Sequence, residues 1–290
     1  MARPLRLQVA GEFFHILARG NARQPIFLDE VDRVVFLDTL QAVVDGWSLR
    51  CHAYCLMGNH YHLLLQPSEP NISRALRQLN GVYGQAFNRR HARVGHVFGG
   101  RFKSLLVGRD NYLVQITRYL ALNPVRAGLV ANPEAWTWSH HRAMAGIAPT
   151  TPFLTRDEIL KHFDASNRTV AQEAYRRFVE LGGGDDERLR TSIASGGILG
   201  DQALMARVSS AIDAFAAEPE IPRSERLAHR PPLELLFNSS SGRDGRDQGI
   251  REAYESHRYT IGQIAAHLRL GRSTISRALR RKPLTAVSEE

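Results

Sequence analysis

Two short spacings in this chain carry side chains that can do chemistry. His60 and His62 stand two apart within Met57–Gln66, and Tyr119 and Asn123 stand four apart in a later segment. On a β-strand, residues two apart point to the same face, about 6–7 Å from one another. Two imidazoles placed in this way can converge on one divalent cation, while Tyr61, Leu63 and Leu65 turn to the other face and pack. Polar alternation along an exposed strand would give the same pattern without a metal, so the pair needs a second group beside it. On a helix, Tyr119 and Asn123 share a face one turn apart. Packing that helix over the histidine strand brings a phenol next to a bound ion and offers Asn123 as a third, oxygen ligand. Mg2+ and Mn2+ accept such mixed oxygen and imidazole sets. Taken singly, Tyr119 reads as an ordinary buried tyrosine and Asn123 as a helix-ending residue before proline.

The elements that must position these groups follow from period and punctuation. Glu12–Ala18 reads as a buried strand, ended by Arg19-Gly20-Asn21. Asp29 starts a helix with Val31, Val34, Val35, Leu37, Leu40, Val43 and Val44 on its apolar stripe. Leu49–Met57 and His60–Gln66 fold back on one another about Gly58-Asn59, two residues that tolerate positive φ. Asn71 or Ser73 caps a long helix from Ile72 to about Arg90, with Ile72, Leu76, Leu79, Tyr83 and Phe87 inside. Lys103–Val107 reads as a further strand. Arg109-Asp110-Asn111 opens a last helix from Tyr112 to Leu122, which Asn123-Pro124 halts. The order β-α-β-β-α-β-α is the split-βαβ pattern, a ferredoxin-like α+β domain with an added helix. In that topology the histidine strand lies centrally beside the first strand.

The 290 residues carry a formal net charge of +9, a balance that favours a polyanionic partner. The cations gather in two places. Arg74, Arg77, Arg89, Arg90, His91, Arg93, Arg101 and Lys103 form one cluster, and Arg269, Arg272, Arg277, Arg280, Arg281 and Lys282 the other. The chain reads as three parts: a domain over 1–148, a helical connector over 149–235 that begins at the linker Pro149–Pro152, and a unit over 236–290. Ser239–Gly249 is a flexible polar stretch. It leads to Thr260–Leu279, which reads as helix-turn-helix packed by Ile261, Ile264, Leu268, Leu270, Ile275 and Leu279. Arg269 stands where the turn usually has glycine, at a cost of about 1 kcal/mol. Arg272, Ser273, Thr274 and Arg277 occupy its recognition-helix positions. No apolar run approaches a membrane span, no secretory segment opens the chain, and Cys51 and Cys55 imply core packing rather than a disulfide framework. The expected setting is cytoplasmic, at the nucleoid.

Five blocks of the sequence resemble one family. They are His15-x-x-x-Arg19-Gly20-Asn21, Gly58-Asn59-His60-Tyr61-His62, Arg77-Gln78-Leu79-Asn80-Gly81, Gly99-Gly100-Arg101-Phe102-Lys103, and Arg118-Tyr119-x-x-x-Asn123-Pro124-Val125-Arg126-Ala127-Gly128. They look like the blocks of the REP-associated tyrosine transposases, within the single-tyrosine HUH nuclease superfamily, in consistent order over roughly residues 3–145. The resemblance implies a ferredoxin-like fold, hairpin-bearing single-stranded DNA as substrate, and a divalent ion, Mg2+ or Mn2+, held by His60 and His62. It makes Tyr119 the nucleophile, with Asn123 as third ligand.

Several cations are candidates to hold the DNA. Arg74, Arg77, Arg89, Arg90, Arg101 and Lys103 can track phosphates, and Arg19 and Asn21 lie where bases can be read. Tyr83, Phe87 and Phe102 are candidates to stack bases, although the first two fall on the helix's apolar stripe. The C-terminal unit is a candidate for duplex DNA. Ser139-His140-His141 receives no role, because adjacent histidines diverge. The rival reading is a non-catalytic DNA-binding regulator. The sequence leaves monomer and dimer open.

Overall fold

The computed structural model of the protein describes residues 7–182, 186–195, 197–217, 231–237, 242–257 and 259–280. These fall into two compact units, one ending at Gly200 and the other beginning at Asp201. The segment expected as a connector over 149–235 is thus divided, and residues 149–182, 186–195 and 197–200 belong with the first unit.

The first unit is built on a sheet of β1 (Phe13–Arg19), β2 (Leu49–Leu56), β3 (His60–Pro67), β4 (Lys103–Val107) and β5 (Gly197–Leu199), in the order β2-β3-β1-β4-β5. The neighbours are antiparallel except β4 and β5, which run parallel. β3 lies inside the sheet beside β1, as the split-βαβ pattern requires. The fifth strand was not expected, since Gly196-Gly197 had read as a break in a helical connector. Pairing along Leu105–Val107 overrides that glycine signal and covers the outer edge of β4.

Three helices position the site: α1 (Glu30–Gly46), α2 (Ile72–Arg90) and α3 (Asn111–Arg126). Asp29 caps α1 by accepting from the Asp32 N–H. The expected stripe of α1 is rotated: Phe36, Leu40, Val43 and Val44 are buried, but Val31 and Val34 are about half exposed. α2 buries Ile72, Leu76, Leu79, Tyr83 and Phe87 as its spacing predicts. Phe36, Tyr61 and Tyr83 meet ring to ring beneath the sheet face of Tyr61, Leu63 and Leu65. Tyr83 and Phe87 are therefore core residues and not base-stacking platforms, and Phe102 is buried too.

The opposite face carries Phe13, Leu64, Leu105 and Val107, packed against Leu113, Ile116, Tyr119 and Leu120 of α3. That is also the face of His60 and His62, whose cross-strand partners are Arg19 and Leu17. α3 does not stop at Leu122; it continues through Pro124 to Arg126. The proline removes one N–H from the helix ladder, and beyond it Ala127, Gly128 and Leu129 again donate to Asn123, Val125 and Pro124 carbonyls.

The hairpin turn also differs from its expected form. Neither Gly58 nor Asn59 has positive φ. Instead Gly58 O accepts from the Ile26 and Phe27 amides, and Asn59 O accepts from Gly20 N. Tertiary bonds replace intrinsic turn preference there.

In the second unit Gly242–Arg251 is helical, although its glycines and charges had read as flexible chain; Asp247, Gly249 and Ile250 are its buried side. Residues 239–241 lie outside the described ones. Helices Ile261–Leu268 and Arg272–Arg280 follow, joined by three residues. Thr260 and Gln263 form a capping box, and Arg269 takes the left-handed conformation at φ 54°. Ile250, Ala253, Tyr259, Ile264, Ala265, Ile275 and Ala278 form the core, flanked by Ile261, Leu268, Leu270 and Leu279. No described helix is long and apolar enough to cross a membrane.

Candidate active site

The site sits where β1 ends and β3 begins. His60 is partly buried and His62 is buried, with ring centroids 5.0 Å apart. α3 lays the Tyr119 ring edge-on to His62 at 6.1 Å between centroids. The sheet and helix therefore bring the two spacings together on one face.

Both histidines have one nitrogen engaged from outside. His60 Nδ1 lies 2.7 Å from Asn59 Oδ1, and His62 Nδ1 lies 2.9 Å from His15 Nε2. His62 Nε2 is buried and has no hydrogen-bond partner. Burial, then the charge of Arg19, holds His60 down to about 4. His62 is held well below the usual range by burial first, then by His15, His60 and Arg19. Burial holds His15 to about 3. At neutral pH all three are uncharged, and uncharged imidazole is the form that binds cations. An orphaned buried nitrogen beside a second neutral imidazole is a donor set that fits a divalent ion. Among the described residues no three His, Cys, Asp or Glu side chains gather into a cage.

Around the phenol, the Arg126 guanidinium carbon lies 5.2 Å from the Tyr119 ring centre, and Arg126 Nη1 reaches the Tyr119 carbonyl at 3.4 Å. Asn123 turns its amide nitrogen to that same carbonyl at 3.1 Å. The described hydrogen bond of Asn123 thus runs back along its own helix rather than toward the histidines.

The proposed DNA-contacting cations separate into distinct settings. Arg19 is the last residue of β1 rather than a loop residue, exposed and directly opposite His60. Asn21 is exposed at the head of a tight turn in which Ala22 and Arg23 take φ of 50° and 61°. Asn59 Nδ2 donates to the Arg23 carbonyl, so this turn leans on the residue that holds His60. Arg74, Arg77 and Arg89 are exposed along α2, and Arg101 and Lys103 are exposed before and at the start of β4. Arg90 is taken up by Asp29 and Asp32, each 2.6 Å away. In the second unit Arg272, Ser273 and Arg277 are exposed and Thr274 is partly so. The Arg277 Nε–H donates to the Ser273 carbonyl.

Sequence reasoning gives His15 and Arg126 no role beyond their sequence blocks, and Asn59 only a place in the hairpin turn. Strand alternation was a usable signal for His15, which shares its face with Leu17 and Arg19. His140 and His141 do not diverge: His140 Nε2 and His141 Nδ1 both lie 3.3 Å from the buried Tyr175 hydroxyl.

Residues 9–123 match the family model described as "Transposase IS200 like". Among solved structures, a REP-associated tyrosine transposase bound to a REP hairpin aligns at 16% identity and a TM-score of 0.42, over 54% of this chain and 98% of that one. A transposase candidate from Deinococcus radiodurans R1 aligns at 21% identity and a TM-score of 0.30, over 41% and 95%. No curated protein matches the chain.

Proposed function

We propose that this protein is a transposase, a metal-dependent nickase and strand transferase acting on hairpin-bearing single-stranded DNA through a tyrosine nucleophile. The observation that carries the reading is the edge-on approach of the Tyr119 ring to His62, whose buried Nε2 has no hydrogen-bond partner. His60 and His62 would hold Mg2+ or Mn2+, with Asn123 Oδ1 as the third donor. A bound ion supplies charge neutralisation at the phosphate and at the leaving oxygen.

The remaining work falls to this chain's own groups. The Tyr119 oxygen attacks phosphorus as its proton departs. The bond from phosphorus to the 3′ oxygen breaks, and that oxygen leaves as a 3′-hydroxyl once protonated. The 5′-phosphate stays on the tyrosine, so the diester bond is exchanged rather than hydrolysed and rejoining needs no nucleotide cofactor. A free phenol has a pKa near 10, so the attacking oxygen must shed its proton as it reacts, and the Arg126 guanidinium carbon stands 5.2 Å from its ring centre. Arg19, Asn21, Arg74, Arg77, Arg89, Arg101 and Lys103 would hold the strand.

The arrangement of Ile261–Leu268 and Arg272–Arg280 supports a helix-turn-helix reading of the second unit, with Arg272, Ser273, Thr274 and Arg277 toward duplex DNA. We place the domain boundary between the two compact units at Gly200 and Asp201, and the enzyme in the cytoplasm at the nucleoid.

The test is a labelled, hairpin-bearing single strand incubated with the protein and Mg2+ or Mn2+. A denaturant-resistant protein–DNA band is expected, and it should vanish with chelator and with Tyr119→Phe. Cut DNA without that band would replace the tyrosine mechanism with water attack. Binding without cutting would leave a regulator.

A further inference from the structure

The contact between His15 and His62 joins two imidazoles, both buried, with centroids 5.1 Å apart and planes 21° from parallel. Two neutral imidazoles 2.9 Å apart share one proton across the contact, so one ring donates and the other accepts. The choice fixes what His62 presents on its far side. If His15 donates, His62 Nε2 carries the hydrogen and cannot bind a cation. If His62 donates through Nδ1–H, its Nε2 is a bare lone pair.

We infer that His15 is a positioning residue: its Nε2 accepts from His62 Nδ1–H, locking His62 in the tautomer and ring orientation whose Nε2 lone pair faces the site. This rests on the metal reading given above. Three observations point the same way. His62 Nε2 is buried without a partner, as a ligand atom would be before its ion arrives. His60 receives matching treatment, because Asn59 Oδ1 at 2.7 Å can only accept, which puts the hydrogen on His60 Nδ1. The stacked rings also leave His62 little room to turn over.

The choice of a histidine as acceptor has its own consequence. Ligand histidines often lean on a carboxylate, which offsets part of the ion's charge. An imidazole acceptor has no carboxylate charge to offset it, and Arg19 stands directly opposite His60 on β1. A site built in this way keeps its full attraction for an anionic DNA backbone.

Two measurements on the full chain test the assignment. In 15N-histidine-labelled, metal-free protein, two-bond 1H–15N correlations should show His62 as the Nδ1–H tautomer; the Nε2–H tautomer there would overturn the inference. Mn2+ affinity, measured by titration without DNA, should fall about 10- to 100-fold in His15→Phe. It should stay within about threefold of wild type in His15→Gln, whose side-chain oxygen can still accept. A folded His15→Phe protein with wild-type Mn2+ affinity sinks the role of His15 and leaves the metal reading standing. Folded wild-type protein that binds no Mn2+ sinks both. If His15→Phe does not fold, the tautomer measurement decides alone.

Discussion

The rings of Tyr119 and His62 meet edge to face, 6.1 Å between centres and 81° between planes. One comes from a helix and the other from a strand, and their apposition makes the proposed nucleophile and the proposed ion-binding group separable by mutation. Tyr119→Phe keeps the ring and its packing, so Mn2+ affinity should stay within about twofold while the covalent DNA band disappears. His62→Ala should abolish both, because it removes a coordinating nitrogen. Titration of Mn2+ alongside the gel assay checks the pair. Loss of Mn2+ binding in Tyr119→Phe would mean that the phenol, not the second imidazole, is the ligand.

Arg77 and Arg90 sit on the same helix but are set up for different tasks. Arg77 is exposed and joins no described ion pair, whereas Arg90 spans Asp29 and the buried Asp32. Asp32 is itself held below the usual carboxylate range: burial pushes it up, but bonds from His91, the Leu28 amide and Arg90 outweigh that. Arg77→Ala should lower the slope of log affinity against log salt by about 1. Arg90→Ala should leave that slope unchanged and instead lower the urea midpoint, since Asp32 loses a donor. Salt titrations by fluorescence anisotropy, with urea melts, distinguish the two.

His140 is buried between the Tyr54 carbonyl, 2.9 Å from Nδ1, and the Tyr175 hydroxyl, 3.3 Å from Nε2. Burial holds it to about 3. The unfolded chain takes up a proton below about 6.5, while the folded chain does so only near 3. In that window the unfolded state binds more protons, so stability falls as pH drops. From pH 8 to pH 5 the loss from His140 should be about 2 kcal/mol. Urea melts at the two pH values measure it, and His140→Gln, which cannot titrate, should narrow the difference by that amount.

Gly20 has no room for a side chain. A Cβ there would stand 2.1 Å from the Gln24 carbonyl oxygen and 2.9 Å from Ile26 Cγ2. Gly20→Ala must therefore move the turn that carries Asn21, at a cost of about 2 kcal/mol and a fall in Tm of about 4–8 °C. Binding of hairpin DNA should weaken with it. A melting curve matching wild type would show that the turn yields without cost.

Much of the fold and the meeting of Tyr119 with the histidines could be read from periodicity and topology. α2 and β4 fall where apolar spacing puts them, because their buried faces are long and unbroken. The misreadings share one cause, which is that distant partners outweighed local signals. β5 begins on Gly197 because β4 offers it an edge. The Gly58-Asn59 turn needs no positive φ because Ile26, Phe27 and Gly20 bond to it. Gly242–Arg251 is helical despite its glycines because Ile250 has a core to enter. The contact of His15 with His62 depends on the diagonal of a strand pair, and Arg90 was miscast because Asp29 and Asp32 lie about sixty residues away in sequence.

Pro124 leaves the helix of Tyr119 with a backbone bond missing little more than one turn beyond the phenol, while β3 is laced to neighbours along both sides. The two halves of the site therefore differ in compliance. The imidazoles are mounted on a strand braced from both edges, and under the proposed mechanism any slack a tethered DNA end demands falls to the tyrosine's side.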